Sequence, residues 1–276
     1  MESPSIAVTK DKVTMSKKRS GMSQLKSKQA RIAYLFIFPT LLLFFCFTVI
    51  PIVMALYLSF TNYDVVSRMD WIGFDNYKQM FKDALYWTTF KNIFTYVIIF
   101  IPLNIGASLF LGLLLNYKRV GVKMFRTVIY LPTLTSGIAA ATVWLWLLNP
   151  EYGLVNQLLS YVGVTGPAWL SDTNTAMLSI VLVTLWQSVG SNMIIYLAGI
   201  QGISEQLYEA AKLDGASRWQ QLRYITWPQL RTTTFFISTL SIIGAFQLFD
   251  QAFALTQGGP ANATKTPVYL IYQVGL

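Results

Sequence analysis

Four polar side chains, Thr184, Gln187, Ser188 and Ser191, interrupt an apolar stretch at positions i, i+3, i+4 and i+7. On a helix that spacing makes one stripe. Hydroxyl and amide groups so arranged can hydrogen-bond the hydroxyls of a polar solute, and they serve equally as interhelical hydrogen bonds. Trp186 and Asn192 flank the stripe. Bond-making chemistry is another matter. The chain has no histidine, which excludes a Ser-His-Asp triad, a Cys-His pair and a His-ligated metal. Its single cysteine, Cys46, cannot form a disulfide within the chain. No GxxxxGK[ST] is present, so no P-loop can hold nucleotide phosphates. No cofactor is expected to be bound by this chain.

A second constellation lies just beyond the stripe, between residues 200 and 231. Ser204 and Glu205 suit the start of a helix, the one as cap and the other in the first turn. Gly215 fits the left-handed position that ends it. Ser217 with Gln220 three residues on makes a capping box for a second helix. Pro228 is expected to close that helix. Leu207, Ala210, Ala211 and Asp214 share one face of the first helix. A structured hairpin of this kind needs a surface to pack on, which its own bundle or another protein could supply.

The elements that position these residues are apolar. Of 276 residues, 54% are hydrophobic and 12% charged, against about 25% charged in soluble domains. Five stretches are long enough to cross a bilayer, at 33–60, 94–115, 128–148, 176–199 and 232–256. The expected fold is an all-α polytopic membrane bundle behind a basic tail at 1–32. The first stretch starts too late and runs too long for a signal peptide. Pro39, Pro51, Pro102 and Pro132 lie inside these stretches as expected kinks.

Charge sets the orientation. The net charge is +9, and residues 1–31 hold eight Lys/Arg against two acids. Loop 116–127 has four bases and no acid, and loop 149–175 has two acids and no base. Loops 61–93 and 200–231 carry four bases each, against four and three acids. The alternation is that of the positive-inside rule, so the N-terminus, 116–127 and 200–231 are expected in the cytoplasm. The basic run reads as a topology anchor that also touches anionic lipid, not as a nucleic-acid site.

Glu209-Ala210-Ala211, three residues, Gly215, nine residues, Ile225, one residue and Trp227-Pro228 resembles a known loop. It is similar to E-A-A-x3-G-x9-I-x-L-P of the permease subunits of ATP-binding-cassette importers, with Trp227 in place of the leucine. Phe249-Asp250 and Leu255-Thr256-Gln257-Gly258-Gly259-Pro260 resemble the carbohydrate-uptake, maltose-type branch. So do Asn62-Tyr63 and Gly73-Phe74-Asp75-Asn76-Tyr77. The resemblance covers residues 30 to 276 and implies a type I importer transmembrane domain of a bacterial or archaeal inner membrane. It implies a sixth span beyond residue 276. Segment 203–228 would be the coupling loop docked on an ABC ATPase dimer, which uses ATP and Mg. Its coupling residues would be Glu209, Ala210, Ala211, Asp214, Gly215, Ile225 and Pro228. A second, similar permease subunit and an extracellular sugar-binding protein are further implied partners.

Counting back from Glu209 without gaps, the resemblance places Thr184, Gln187, Ser188 and Ser191 in the sugar site. Counting back from Leu255-Thr256, it adds Gly244, Ala245 and Leu248, which are small or apolar where maltose permeases use aromatic and amide groups. Gln247, Asp250 and Gln251 could supply polar contacts instead, and Phe246 and Phe249 could stack on a sugar face. Glu151, Tyr152 and Trp169 form a candidate surface for the binding protein. The competing readings are an importer of another polar solute, such as a glycerophosphodiester, and an ATP-independent channel or facilitator.

Overall fold

The computed structural model describes residues 29–63, 69–117 and 120–275. Most of the basic tail, with Asp64, Arg68, Lys118 and Arg119, lies outside them. The chain divides into two compact units, Met1–Lys82 and Asp83–Leu276, where sequence reading draws its line at residue 32.

The first unit holds helix α1, Gln29–Leu58, long and apolar enough to cross a membrane. Its residues Phe45–Val49 form a π turn that closes with the Ile50 N–H on the Phe45 carbonyl. Pro51 follows directly. Widening the preceding turn lets the helix absorb the missing N–H and the ring instead of breaking. A two-residue ladder, β1 (Thr61–Asn62) on β2 (Asp70–Trp71), and helix α2 (Asp75–Lys82) complete the unit. The Asn76 amide donates to the carbonyls of Ser59 and Thr61, each at 2.9 Å. Phe60 stacks on Trp71 and meets Phe74 edge-on. The Gly73–Tyr77 motif therefore has a local folding task.

The second unit is built on α3 (Ala84–Leu114) and α7 (Ala176–Gln201), which pack along their lengths. Asp83 caps α3 by accepting from Leu85 N–H at 2.8 Å, so this helix starts ten residues before the expected 94. Pro102 sits inside α3 without ending it. A Cβ on Gly112 would lie 3.1 Å from Tyr196 Cβ, which marks how close the two backbones come. Helix α10 (Arg231–Phe246) packs on both. Ile93, Tyr96, Phe100, Ile180 and Val183 form one core; Leu109, Tyr196, Ile200, Leu230 and Ile237 form a second.

Two of the five expected crossings are not single helices. The third is α4 (Val122–Tyr130), continued by a 3-10 turn at Leu131–Leu134, and α5 (Gly137–Leu147), bent by 103°. Pro132 sits in the 3-10 turn and Ser136 is extended, which together break the hydrogen-bond ladder. The fifth ends at Phe246. Its sixteen residues span about 24 Å, short of a hydrocarbon core of about 30 Å. The chain resumes helical geometry only from Asp250, with a π turn at Ala252–Thr256. Among the described residues three helices thus qualify as spans on length and composition, or four if the bent pair counts as one. Helix α6 (Leu154–Tyr161) lies between α5 and α7, and α8 (Glu205–Leu213) and α9 (Arg218–Gln221) follow α7. The described chain closes with α11 (Pro267–Gly275).

Candidate functional site

The 203–228 hairpin is set by its turn. Gly215 has φ +76°, and its N–H bonds the Lys212 carbonyl at 3.1 Å while Ala216 N–H reaches the Ala211 carbonyl at 2.8 Å. Those two bonds are the Schellman arrangement, which satisfies the last carbonyls of α8 and needs a left-handed residue. The Ser217–Gln220 capping box is present in both directions, at 3.3 and 2.7 Å. Ser204 occupies the cap position of α8 without a side-chain cap bond. Pro228 lies inside the helix and not at its end. A π turn at Leu222–Thr226 precedes it, the Trp227 N–H bonds the Leu222 carbonyl, and the helix runs on through Trp227–Gln229 to a turn at Leu230, after which α10 begins. It is the device seen before Pro51.

The hairpin is tied to the bundle from inside. The Tyr208 hydroxyl and Thr226 Oγ1, 2.8 Å apart, hold its two arms together, and Tyr208 and Ile225 pack on the second core. Glu209, Ala210, Asp214 and Pro228 are exposed, and Ala211 is half-buried. Glu209 also faces a groove of about 1730 Å³, lined among others by Lys123, Arg126, Glu205 and Lys212. Arg126 holds one wall by donating through Nε and Nη2 to the Leu115 carbonyl, at 3.2 and 2.7 Å. The hairpin therefore has one side packed on the core and one side exposed.

The polar stripe on α7 is half-buried. Thr184 donates to Ile180 O and Ser191 to Ser188 O, both at 2.8 Å within the helix, and Thr184 also shares a side-chain hydrogen bond with Tyr96 of α3. Gln187 and Ser188 bond across helices. Gln187 Nε2 donates to Thr135 O, its Oε1 accepts from Gln251 Nε2, and its carbonyl accepts from Thr133 Oγ1, at 3.0, 3.0 and 2.9 Å. It therefore staples the α4–α5 bend to α7. Ser188 donates to Asn104 Oδ1 at 3.5 Å, and Asn104 Nδ2 donates to Ser241 Oγ at 3.2 Å. Asn104, 1% exposed, thereby joins α3, α7 and α10. Asn104 is absent from the stripe pattern; its one signal in the sequence is that of a lone amide inside an apolar span, which must face the bundle interior. Asn104→Leu should lower stability by about 1–2 kcal/mol, seen as an earlier thermal transition of the detergent-solubilised protein.

A family described as the binding-protein-dependent transport system inner membrane component matches residues 104–276. The chain belongs to this permease family. It is 38% identical over 242 residues to "Probable ABC transporter permease protein YesP" of Bacillus subtilis, covering 87% of this chain and 78% of that one. It is 31% identical over 263 residues to the arabinooligosaccharides transport system permease protein AraP of Halalkalibacterium halodurans, covering 94% and 83%. Among solved structures it is similar to a bacterial alginate ABC transporter in complex with an alginate pentasaccharide-bound periplasmic protein. That match has TM-score 0.78 and 26% identity and covers 90% of this chain and 84% of the other.

In this permease the second set of expected lining residues is dispersed. Ala245 and Leu248 are 2% and 4% exposed within the first core, whereas Gly244 is exposed. Phe249 stacks on Phe253 and meets Tyr272 edge-on, so its ring is already engaged. Phe246 meets Phe94 edge-on, and Gln247 is exposed. Asp250 is half-buried with its carboxylate against Gly137, where an added Cβ would lie 2.6 Å from Oδ2. Gly137 is the first residue of α5, so the charge sits favourably at a helix start. On the 149–175 loop, Glu151 and Tyr152 are exposed. Trp169 turns inward, packs on the first core and donates from Nε1 to Asn156 Oδ1 at 2.6 Å.

Proposed function

We propose that this permease imports a sugar or oligosaccharide delivered by an extracellular binding protein. A separate ABC ATPase dimer would grip the 203–228 hairpin and use ATP and Mg, while this chain itself catalyses nothing and binds no cofactor. A second permease subunit would complete the path, with α7 facing it through Thr184, Gln187, Ser188 and Ser191. The observation that carries this reading is the two-sided hairpin. The free edge of Glu209, Ala210 and Asp214 is joined to the core through Tyr208, Thr226 and Ile225. A push on such an edge reaches α7 and α10 as a rigid displacement, the input that alternating access at a midplane site needs. The substrate class is supported by the arabinooligosaccharide relative and the alginate complex. The charge alternation supports a cytoplasmic N-terminus.

The test uses the reconstituted transporter with an Ala210→Cys variant. A thiol crosslinker should join residue 210 to the ATPase subunit, and the crosslink should stop ATP-driven sugar uptake. Uptake that runs without ATP, or an Ala210→Cys thiol that never reaches a nucleotidase, overturns the reading. A binding protein whose tight ligands are amino acids and not saccharides overturns the substrate class alone.

A further inference from the structure

Along the hairpin's second arm and into α10, the segment 218–246 carries an exposed row of residues outside the coupling set Glu209, Ala210, Ala211, Asp214, Gly215, Ile225 and Pro228. Trp219, Arg223, Trp227 and Arg231 follow one another at intervals of four. In a plain α-helix such a row drifts around the axis by about 40° per step. Here a π turn at Leu222–Thr226 lies in its middle, and the wider turn reduces that drift as far as Trp227; Leu230, with ψ 3°, is a turn residue that precedes Arg231. All four are exposed, Trp219 at 71%, and Tyr224 beside them is 74% exposed. Phe235 continues the same spacing at 72% exposed, where the apolar part of α10 begins. Neither guanidinium has a carboxylate within 4 Å among the described residues, whose one ion pair is Lys78–Asp75. At the apolar end Trp227, Pro228, Arg231 and Thr234 line a small open cleft of about 290 Å³. Trp227 is the one residue in which the loop departs from the family pattern.

We infer that this row is a binding site for an anionic phospholipid headgroup, with the phosphate at Arg231 and Arg223 and the acyl chain running along Phe235. Alternating aromatic and basic side chains that pass directly into an apolar helix match the layering of a membrane boundary. Indole rings suit the headgroup level, and cations attract the acidic lipids of that leaflet. Charge complementarity selects the occupant: two unpaired guanidiniums favour phosphatidylglycerol over phosphatidylcholine. The inference rests on the permease reading only in placing α10 in the bilayer.

The purified assembly containing the full chain is equilibrated with equal amounts of phosphatidylglycerol and phosphatidylcholine, and retained lipid is counted by native mass spectrometry. The wild type should retain phosphatidylglycerol preferentially. Arg223→Gln with Arg231→Gln should lower that preference by about fivefold for each guanidinium, roughly 25-fold for the pair. Arg223→Lys with Arg231→Lys should keep most of it, and Trp227→Leu should weaken it. Equal retention of both lipids by the wild type, or an unchanged preference in the double Gln variant, overturns the proposal. If the double Gln variant loses its ATPase or partner permease together with the lipid, the row is a protein interface and the lipid site is overturned. A wild-type assembly that selects the acidic lipid but copurifies with no ATPase leaves the site standing and removes the transport reading instead.

Discussion

Gly190→Ala is expected to leave little folded permease, although it adds a single methyl group in the middle of a helix. A Cβ at residue 190 would lie 2.2 Å from the Ile129 carbonyl oxygen, 2.8 Å from Tyr130 Cα and 2.9 Å from the Ile129 carbonyl carbon. All three atoms are backbone, so no rotamer change can make room, and the segments must separate by about 1 Å. The segment opposite cannot yield by itself. It is the run into the α4–α5 bend, stapled to the same turn of α7 by Thr133 Oγ1 on Gln187 O and Gln187 Nε2 on Thr135 O. Separation would stretch both bonds. Overpacking of this kind costs about 1–3 kcal/mol or more, with about 0.5–1.5 kcal/mol for each lost hydrogen bond. Gly106→Ala is the matched control, since a Cβ there meets nothing within 4 Å. It should be neutral or slightly stabilising. Monodisperse yield and thermal transition of the two variants in detergent decide the matter. A Gly190→Ala protein as stable as the control would show that the contact with Ile129 and Tyr130 is not rigid.

Much of this machinery is legible locally, and the exceptions share a physical cause. The hairpin follows from Gly215, Ser217 and Gln220 because a left-handed stop and a capping box involve only residues within a few positions. The stripe on α7 follows from spacing alone. The break after Phe246 does not. Its stretch of sequence reads as one apolar run, and the Leu248 carbonyl freed by the break is taken by Thr266 Oγ1 at 2.8 Å, eighteen residues further on. A helix end satisfied from so far away leaves no local signature. Pro228 misleads for the opposite reason. It carries the strongest local stop signal in the loop, and a π turn carries the helix past it, so that the stop comes at the Leu230 turn instead. Phe249 and Trp169 are plausible ligand-facing aromatics by type, yet both are engaged by partners that only the packing reveals. The four stripe residues differ in the same way, since only the fold brings Asn104, Thr135 and Gln251 to Gln187 and Ser188.

Gly215→Val should uncouple the transporter while leaving its bundle intact. The residue has φ +76° and nothing within 4 Å of an added Cβ, so the penalty is conformational and not steric crowding. Left-handed geometry disfavours an L-residue by about 1–2 kcal/mol, and a β-branched side chain is a genuine outlier there. Rotating residue 215 out of that region removes the bonds from Gly215 N–H to Lys212 O and from Ala216 N–H to Ala211 O. The C-terminal end of α8, with the exposed Asp214, then loses its fixed relation to the 218–229 segment, while the Tyr208–Thr226 bond still ties the middle of α8 to it. The anchor through Tyr208 and Thr226 lies on the other side of the hairpin and does not depend on the turn. ATP-driven uptake in proteoliposomes is therefore expected to fall at least tenfold, the equivalent of about 1.4 kcal/mol, with an unchanged thermal transition. Asn tolerates the left-handed region better than Ala or Val, so Gly215→Asn should retain most activity and Gly215→Ala should fall between Asn and Val. That order separates a backbone requirement from a need for small size, under which Ala would be the mildest replacement. Val equal to Gly in uptake would mean that the turn transmits nothing and that force enters the bundle elsewhere.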